Sequence, residues 1–191
     1  MNAVGGIAKF NNLGLSGGGA VLQLDKVRNY LSSHFILVEN IDLSQYNANS
    51  SWQPIGTVEN AFTGSFDGQR HTISGLKINL PDTRGVGLFS SISGNARISN
   101  IGLVDAKVTG FSNTGTLVGI MQGGTVTDAY AQGKVTGKCS FTYSGGLVGS
   151  VGQGATVSRS FANTQVDGTM SVGGLVGANS EYPTLQWQTA P

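Results

Sequence analysis

The sequence is poor in charge, cysteine and histidine, and these scarcities argue against several classes of protein. Its single cysteine, Cys139, excludes an intrachain disulfide. The two histidines, His34 and His71, do not belong to a Cys/His cluster, and the zinc-protease pattern HExxH is missing. Only 11% of the residues are charged, and the net charge is +1 without a basic run, which disfavours binding of nucleic acid through its phosphates. We therefore expect no metal, no cofactor and no nucleic-acid partner.

Long apolar runs are also missing. No stretch of about 18 apolar residues occurs, so the sequence predicts no membrane-spanning helix and no membrane insertion by this segment. Met1 is not followed by a basic region and an apolar core, so no signal peptide is predicted. Between residues 36 and 180 no helical periodicity is long enough for a crossover helix, which argues against leucine-rich and ankyrin repeats.

Glycine is abundant, with 30 residues, and it recurs within one short phrase. The phrase reads GVGLFS over 85–90, TGTLVG over 114–119, SGGLVG over 144–149 and VGGLVG over 172–177. Its central leucines are Leu88, Leu117, Leu147 and Leu175, and they follow one another at a nearly constant separation. A steady period of about 30 residues predicts one supersecondary unit stacked upon itself.

A second phrase follows each signature, and its apolar positions align into columns. Ile98, Val126 and Val157 form one column with a similar period, and the earlier phrase TISGLKINL places Ile73 with them. Three residues on are Leu76, Ile101, Ala129 and Ser160, and five residues on are Ile78, Leu103, Ala131 and Ala162. The two-residue step indicates a strand, and the three-residue step before it predicts a bend at Gly75, Asn100, Asp128 and Arg159.

These columns predict an all-β chain wound as a parallel β-helix, a β-solenoid with coils of about 28–31 residues and three short strands per coil. Coils of this length favour the right-handed form. We expect a single domain over residues 1–191, with an N-terminal cap (1–34), first coils (35–80), glycine-rich repeats (81–180) and a closing segment (181–191). Leu24, Val27 and Leu31 share one face of a short predicted capping helix.

Several linked motifs resemble the GLUG repeat regions of bacterial secreted and surface proteins. The GGLVG phrases carry the resemblance, together with FILVENIDLS over 35–44, WQPIG over 52–56, FTGSFDGQRHTISGLKI over 62–78 and YPTLQW over 182–187. Such regions occur in filamentous-haemagglutinin-like adhesins and in immunoglobulin A peptidases, where the repeat region is not the catalytic part. The resemblance therefore implies a secreted or cell-surface location.

The preferred functional interpretation is a non-catalytic segment of a bacterial adhesin, which presents an extended surface for attachment. Its partner would be a host-surface protein, a glycan or another copy of the adhesin. Two alternatives stay open: a β-helix that cleaves or binds carbohydrate, and an accessory repeat region of a secreted peptidase.

Catalysis by paired carboxylates finds little support in the sequence. Counted from the column of Ile98, the repeat acids Asp105, Asp128 and Asp167 fall at offsets 7, 2 and 10, so they share no column. Asp128 is predicted to belong to a neutralised polar ladder at the bend. Asp67 and His71 lie four residues apart, but Asp67 begins a turn dipeptide, so a structural role is favoured over acid–base chemistry.

Four aromatic residues are the candidate ligand contacts. Tyr130 and Phe161 share offset four, which faces outward if offsets three and five face inward. Phe141 and Tyr143 lie in the turn region before the third signature. Outward rings could stack on sugars or contact a protein; the alternative is packing beneath a loop or beneath the N-terminal segment.

Overall fold

The structure is a computed structural model that describes residues 8–10, 24–44, 51–179 and 184–185. These residues form one 3-10 helix, Lys26–Asn29, and seventeen strands. The strands are β1 (Ala8–Phe10), β2 (His34–Leu37), β3 (Ile41–Asp42), β4 (Ser65–Asp67), β5 (Thr72–Ser74), β6 (Lys77–Val86), β7 (Phe89–Ile92), β8 (Arg97–Thr114), β9 (Val118–Met121), β10 (Thr125–Gly137), β11 (Tyr143–Gly145), β12 (Val148–Val151), β13 (Thr156–Ser158), β14 (Phe161–Asp167), β15 (Ser171–Gly173), β16 (Val176–Asn179) and β17 (Thr184–Leu185).

The strands stack in parallel from one coil to the next, so the predicted parallel β-helix is confirmed. One sheet runs in the order β1-β2-β4-β8-β10-β13-β17, and from β2 to β13 its paired residues form a continuous inward column. That column contains Phe35, Phe66, Ile98, Val126 and Val157. Ile98 and Val126 are 0% exposed and Val157 is 2% exposed, so these residues form the buried core of the solenoid. The right-handed form stays a prediction.

The repeated leucines form the corresponding column on another side of the coil. The amide of Leu88 donates to the carbonyl of Thr116, Leu117 donates to Leu147, and Leu147 donates to Leu175. The residues that follow them build the second sheet, in the order β16-β12-β9-β7. The glycine-rich signature is therefore the position where each coil bonds to the next.

The strand register shows where one predicted alignment was wrong. Ile73 pairs with Leu103, and it is Phe66 that pairs with Ile98. Leu76 and Ile78 shift with Ile73, since Ile78 pairs with Val108. The period itself agrees with the prediction, because the inward column repeats at steps close to those between the signature leucines.

The error has a physical cause in the way that the coil turns. The coil of β8 has two such corners, each with an inserted residue of positive φ, so its apolar spacing of three and then two, from Ile98 to Leu103, occurs again from Leu103 to Val108. Asn100 (φ 53°) forms the first corner of its coil and Asp105 (φ 54°) forms the second. Gly75 (φ 68°) belongs to the second corner, whereas the spacing predicts the first.

Aromatic rings fill the core of the first coils. The ring centroids of Phe62 and Phe89 are 5.0 Å apart, and those of Phe66 and Phe89 are 5.7 Å apart. Trp52 is also buried, at 1% exposure. In the later coils Ala129 and Ala131 take inward positions. The core is therefore aromatic in the first coils and aliphatic in the later ones.

The predicted N-terminal capping helix is not supported. The start of that helix, residues 22 and 23, lies outside the described residues. Leu24 and Asp25 are α-helical, and they are followed at once by the 3-10 helix Lys26–Asn29, which has no side-chain cap at Asp25. Leu24 and Val27 are buried and Leu31 packs against the core. Leu24 and Val27 are three residues apart, so they lie on one side of a single helical turn.

The predicted end segments fall largely outside the described residues. At the C-terminal side, Thr184 and Leu185 pair with Thr156 and Val157, so this part of the closing segment adds another strand to the stack. The remainder of the closing phrase lies outside the described residues, and the division of the domain into four parts stays a prediction.

Candidate ligand-binding surface

The outward aromatic pair is the first part of the candidate surface. Tyr130 on β10 pairs in register with Phe161 on β14, and their rings stack with centroids 5.3 Å apart and planes 7° apart. Phe161 is 58% exposed, whereas Tyr130 is half-buried. The sequence-based expectation that these two rings share an outward position is therefore matched by the geometry.

The coil below Tyr130 leaves room for its ring. A Cβ atom at Gly102 would lie 2.3 Å from Cζ of Tyr130, so the phenol covers the bare backbone of this glycine. Tyr130 is thus packed between Gly102 on one side and the ring of Phe161 on the other. The outer face of Phe161 and the ring edges are the aromatic surface that a ligand can contact.

The first corner lies beside these rings and carries a polar ladder. Arg159 binds Asp128 in the coil below through two hydrogen bonds, Nε to Oδ1 at 2.8 Å and Nη2 to Oδ2 at 2.7 Å. These bonds from Arg159 lower the pKa of Asp128, and partial burial opposes them. A general acid at neutral pH needs a raised pKa, which is the opposite of the shift at Asp128. The ion pair with Arg159 matches the predicted neutralised ladder.

Asp67 and His71 lie at the equivalent corner of an earlier coil, where Asp67 has a structural role. Asp67 accepts hydrogen bonds from the amide of Gln69 (2.9 Å) and from Nδ2 of Asn100 (2.9 Å). Burial raises the pKa of Asp67, but the hydrogen bonds from Asn100 and Gln69 outweigh it, and the pKa is lowered overall. The carboxylate holds the turn at Gln69 and Arg70, which both have positive φ.

The structure does not join Phe141 and Tyr143 to the first aromatic pair. Within the described residues no ring contact links Phe141 or Tyr143 to Tyr130 or Phe161. Phe141 is 69% exposed. Tyr143 lines a separate open groove of about 590 Å³, whose wall also includes Asn113, Ser150 and Met170. The four predicted contacts therefore belong to two different places on the coil.

One outward column was missed at the sequence level. Lys77, Lys107 and Lys134 pair in register on three consecutive coils, and all three side chains are exposed. The alignment of Val108 with Val135 already placed Lys107 and Lys134 side by side. The misplacement of Ile73 and Ile78 hid the third lysine, because Lys77 precedes Ile78.

Metal ligands and membrane-spanning helices are both missing from the part of the chain that the structure describes. Within residues 8–10, 24–44, 51–179 and 184–185, no three His, Cys, Asp or Glu side chains are grouped so that they could hold a metal ion. No helix in this described part is long and apolar enough to cross a membrane.

Comparison with known proteins identifies relatives that are much longer than this chain. Halomucin of Haloquadratum walsbyi is 39% identical over 141 residues, which are 69% of this chain and 2% of that protein. A protein of Evansella cellulosilytica named "Putative Gly-rich membrane protein" is 35% identical over 170 residues, which are 85% of this chain and 20% of that protein. The chain thus spans a small part of each relative. No protein-family model matches the sequence.

One solved structure shares the fold. It is a crystal structure from Bacteroides ovatus, named "putative immunoglobulin A1 protease", with a TM-score of 0.59. The similarity covers 86% of this chain and 62% of that chain at 18% sequence identity. At this identity the likeness extends to the β-solenoid architecture.

Proposed function

We propose that this chain is a non-catalytic β-solenoid segment of a secreted or cell-surface bacterial protein, and that it attaches to a partner through an extended outward face. One observation carries the proposal: outward side chains stand in register on consecutive coils. Tyr130 lies above Gly102 and below Phe161, and Lys107 lies between Lys77 and Lys134. Such columns form a broad surface and not a cleft, which suits attachment better than turnover.

The state of the carboxylates supports a non-catalytic role. Every described aspartate whose pKa is shifted has a lowered pKa; these are Asp42, Asp67, Asp128 and Asp167. Hydrolysis of a glycosidic bond requires a carboxyl group that stays protonated near neutral pH, together with a second carboxyl facing it. Asp128 is instead committed to Arg159 by a bidentate ion pair.

The relatives support a surface location. The name of the Evansella cellulosilytica protein places that protein at a membrane, and the GLUG-like phrases resemble repeat regions of adhesins. The protease name of the Bacteroides ovatus protein keeps an accessory region of a secreted peptidase as the second candidate. The flanking sequence of the full-length protein distinguishes the two, since only a peptidase would contain a catalytic domain.

Attachment can be measured with beads that carry the chain at uniform orientation under flow over glycan-coated and cell-coated surfaces. We expect retention above that of albumin-coated beads, and we expect Phe161→Ser to reduce retention because it removes the open ring face. Val172→Ser is the matched control, since Val172 is also exposed, at 47%, on β15. A chain that is not retained on any surface contradicts the proposal.

The enzymatic alternative has a separate test. The chain is incubated with neutral and uronic polysaccharides, and reducing ends and unsaturated products are measured. We expect no release. Release that Asp128→Asn abolishes would overturn the non-catalytic proposal.

A further inference from the structure

The lysine column lies on one outward face of the solenoid, in the part of each coil that follows the second corner. Lys77, Lys107 and Lys134 occupy equivalent positions on β6, β8 and β10. Neighbouring parallel strands lie about 4.8 Å apart, so the three Cα atoms form a line about 10 Å long that is parallel to the solenoid axis. The alternation of the strand turns Val108 and Val135 inward and leaves the ammonium groups in solvent.

Within the described residues, only one end of this line is neutralised. Nζ of Lys134 lies 2.8 Å from Oδ2 of Asp167, on the adjacent coil, and this bond lowers the pKa of Asp167. Lys77 and Lys107 form no ion pair with any described residue. Like charges at directly opposite positions on neighbouring strands destabilise a sheet. A bound anion would therefore relieve a repulsion that the register of the coils imposes.

The surroundings of the column fit a sugar chain. The next outward column contains Asn79, Thr109 and Thr136, which are in register with one another and offer hydroxyl and amide groups. Two residues beyond Thr109, the ring of Phe111 is 42% exposed. Cationic, hydroxyl and aromatic groups thus lie side by side, and an acidic sugar presents the complementary anionic, hydroxyl and apolar surfaces.

We propose that this face binds a linear anionic polysaccharide along the solenoid axis, with its carboxylate or sulfate groups against Lys77 and Lys107. The proposal deepens the attachment function and rests on it. Nucleic acid fits less well, because binding of single strands uses a series of aromatic stacking platforms, and among the described residues of this face Phe111 is the one exposed ring.

The test measures binding of the intact chain to immobilised polymers at low salt. Polygalacturonate supplies carboxylates, heparin supplies sulfates, dextran is neutral, and poly(dT) and poly-glutamate represent other polyanions. We expect binding to polygalacturonate, to heparin or to both, with no binding to dextran. The stronger of the two identifies the anionic group. Stronger binding to poly(dT) or poly-glutamate overturns the assignment to a glycan.

Two matched double variants test the column itself. Lys77→Gln with Lys107→Gln removes two charges from it, and we expect affinity to fall about tenfold with a weaker dependence on salt. Lys26→Gln with Arg97→Gln removes two exposed charges elsewhere and serves as the control. An equal loss in both variants, or no loss in the first, overturns the proposal, because binding would then depend on net charge or on another face.

A third variant increases the unpaired positive charge of the column. Asp167→Asn frees Lys134 from its ion pair, so we expect tighter binding, whereas unchanged or weaker binding contradicts the proposal. The outcomes also separate this inference from the proposed function. Retention of beads that depends on Phe161 but not on the lysines refutes the inference alone, while polysaccharide cleavage refutes the non-catalytic function.

Discussion

The replacement of Gly145 by alanine tests why the signature phrase needs glycine. A Cβ atom at Gly145 would lie 2.0 Å from the carbonyl oxygen of Val148 and 2.5 Å from the amide nitrogen of Gly177 in the next coil. Ordinary contact of a Cβ begins at 3.4 Å, so both distances are far too short. Both neighbours are backbone atoms, which cannot move without displacing a coil. Lack of space, and not backbone conformation, therefore makes this position glycine.

The expected cost of Gly145→Ala lies at the upper end for overpacked sites, about 3 kcal/mol of the free energy of unfolding. Two other glycines separate the possible causes. Gly174 has nothing within 4 Å of an added Cβ, so Gly174→Ala should be neutral or stabilising by about 0.4–1 kcal/mol through the unfolded chain. Gly154 has open space but φ +76°, so Gly154→Ala should cost about 1–2 kcal/mol through backbone strain alone.

Urea denaturation followed by far-ultraviolet circular dichroism measures all three variants on the same chain. The expected order of midpoints is Gly174→Ala above Gly154→Ala, and Gly154→Ala above Gly145→Ala. A midpoint for Gly145→Ala equal to that of Gly174→Ala would refute the close approach of successive coils at the signature.

Three further predictions concern the core, the corner and the aromatic pair. Ile98→Ala should destabilise the protein by about 2–5 kcal/mol, because Ile98 is fully buried; Leu175→Ala should cost less in the same urea titration, because Leu175 is only partly buried. The pKa of Asp67 is lowered in the folded protein, so the ionised carboxylate stabilises the fold above its unfolded pKa near 3.8, and this stability is lost as the pH falls through the folded value. Urea midpoints should therefore drop in acid. The drop should be smaller in Asp67→Asn, and an equal drop in that variant would contradict this role. Gly102→Ala should displace the ring of Tyr130 at small cost in stability, because the clash is with the far end of a side chain; a changed near-ultraviolet circular dichroism signal with a nearly unchanged urea midpoint is the expected result.

Much of the fold could be predicted because the repeat places equivalent residues one above another. The leucines from Leu88 to Leu175 and the column from Ile98 to Val157 bond and pack as their spacing indicates. The first coils could not be aligned from spacing alone, because the two corners of the β8 coil have the same apolar pattern. The capping helix is not supported, since the burial of Leu24 and Val27, three residues apart, needs only a single helical turn.

The candidate surface divides in the same way between sequence and structure. The shared outward position of Tyr130 and Phe161 followed from the repeat, but the packing of Tyr130 onto Gly102 depends on side-chain direction, which a linear pattern does not encode. The separation of Phe141 and Tyr143 from that pair likewise depends on how the turn region folds back. The shared bend position of Asp128 and Arg159 indicated from the sequence that they would form an ion pair.

The repeat pattern was sufficient to establish that the chain winds into parallel coils. A nearly constant period, with glycine at every signature, is the pattern of one structural unit stacked upon itself. The folded chain was needed to show which residues meet across coils in the first part of the molecule. The alignment of Lys77 with Lys107 and Lys134 depends on the positive-φ residues inserted at each corner. Those residues set the register between coils, and the register in turn places charge and aromatic rings in columns on the outer surface.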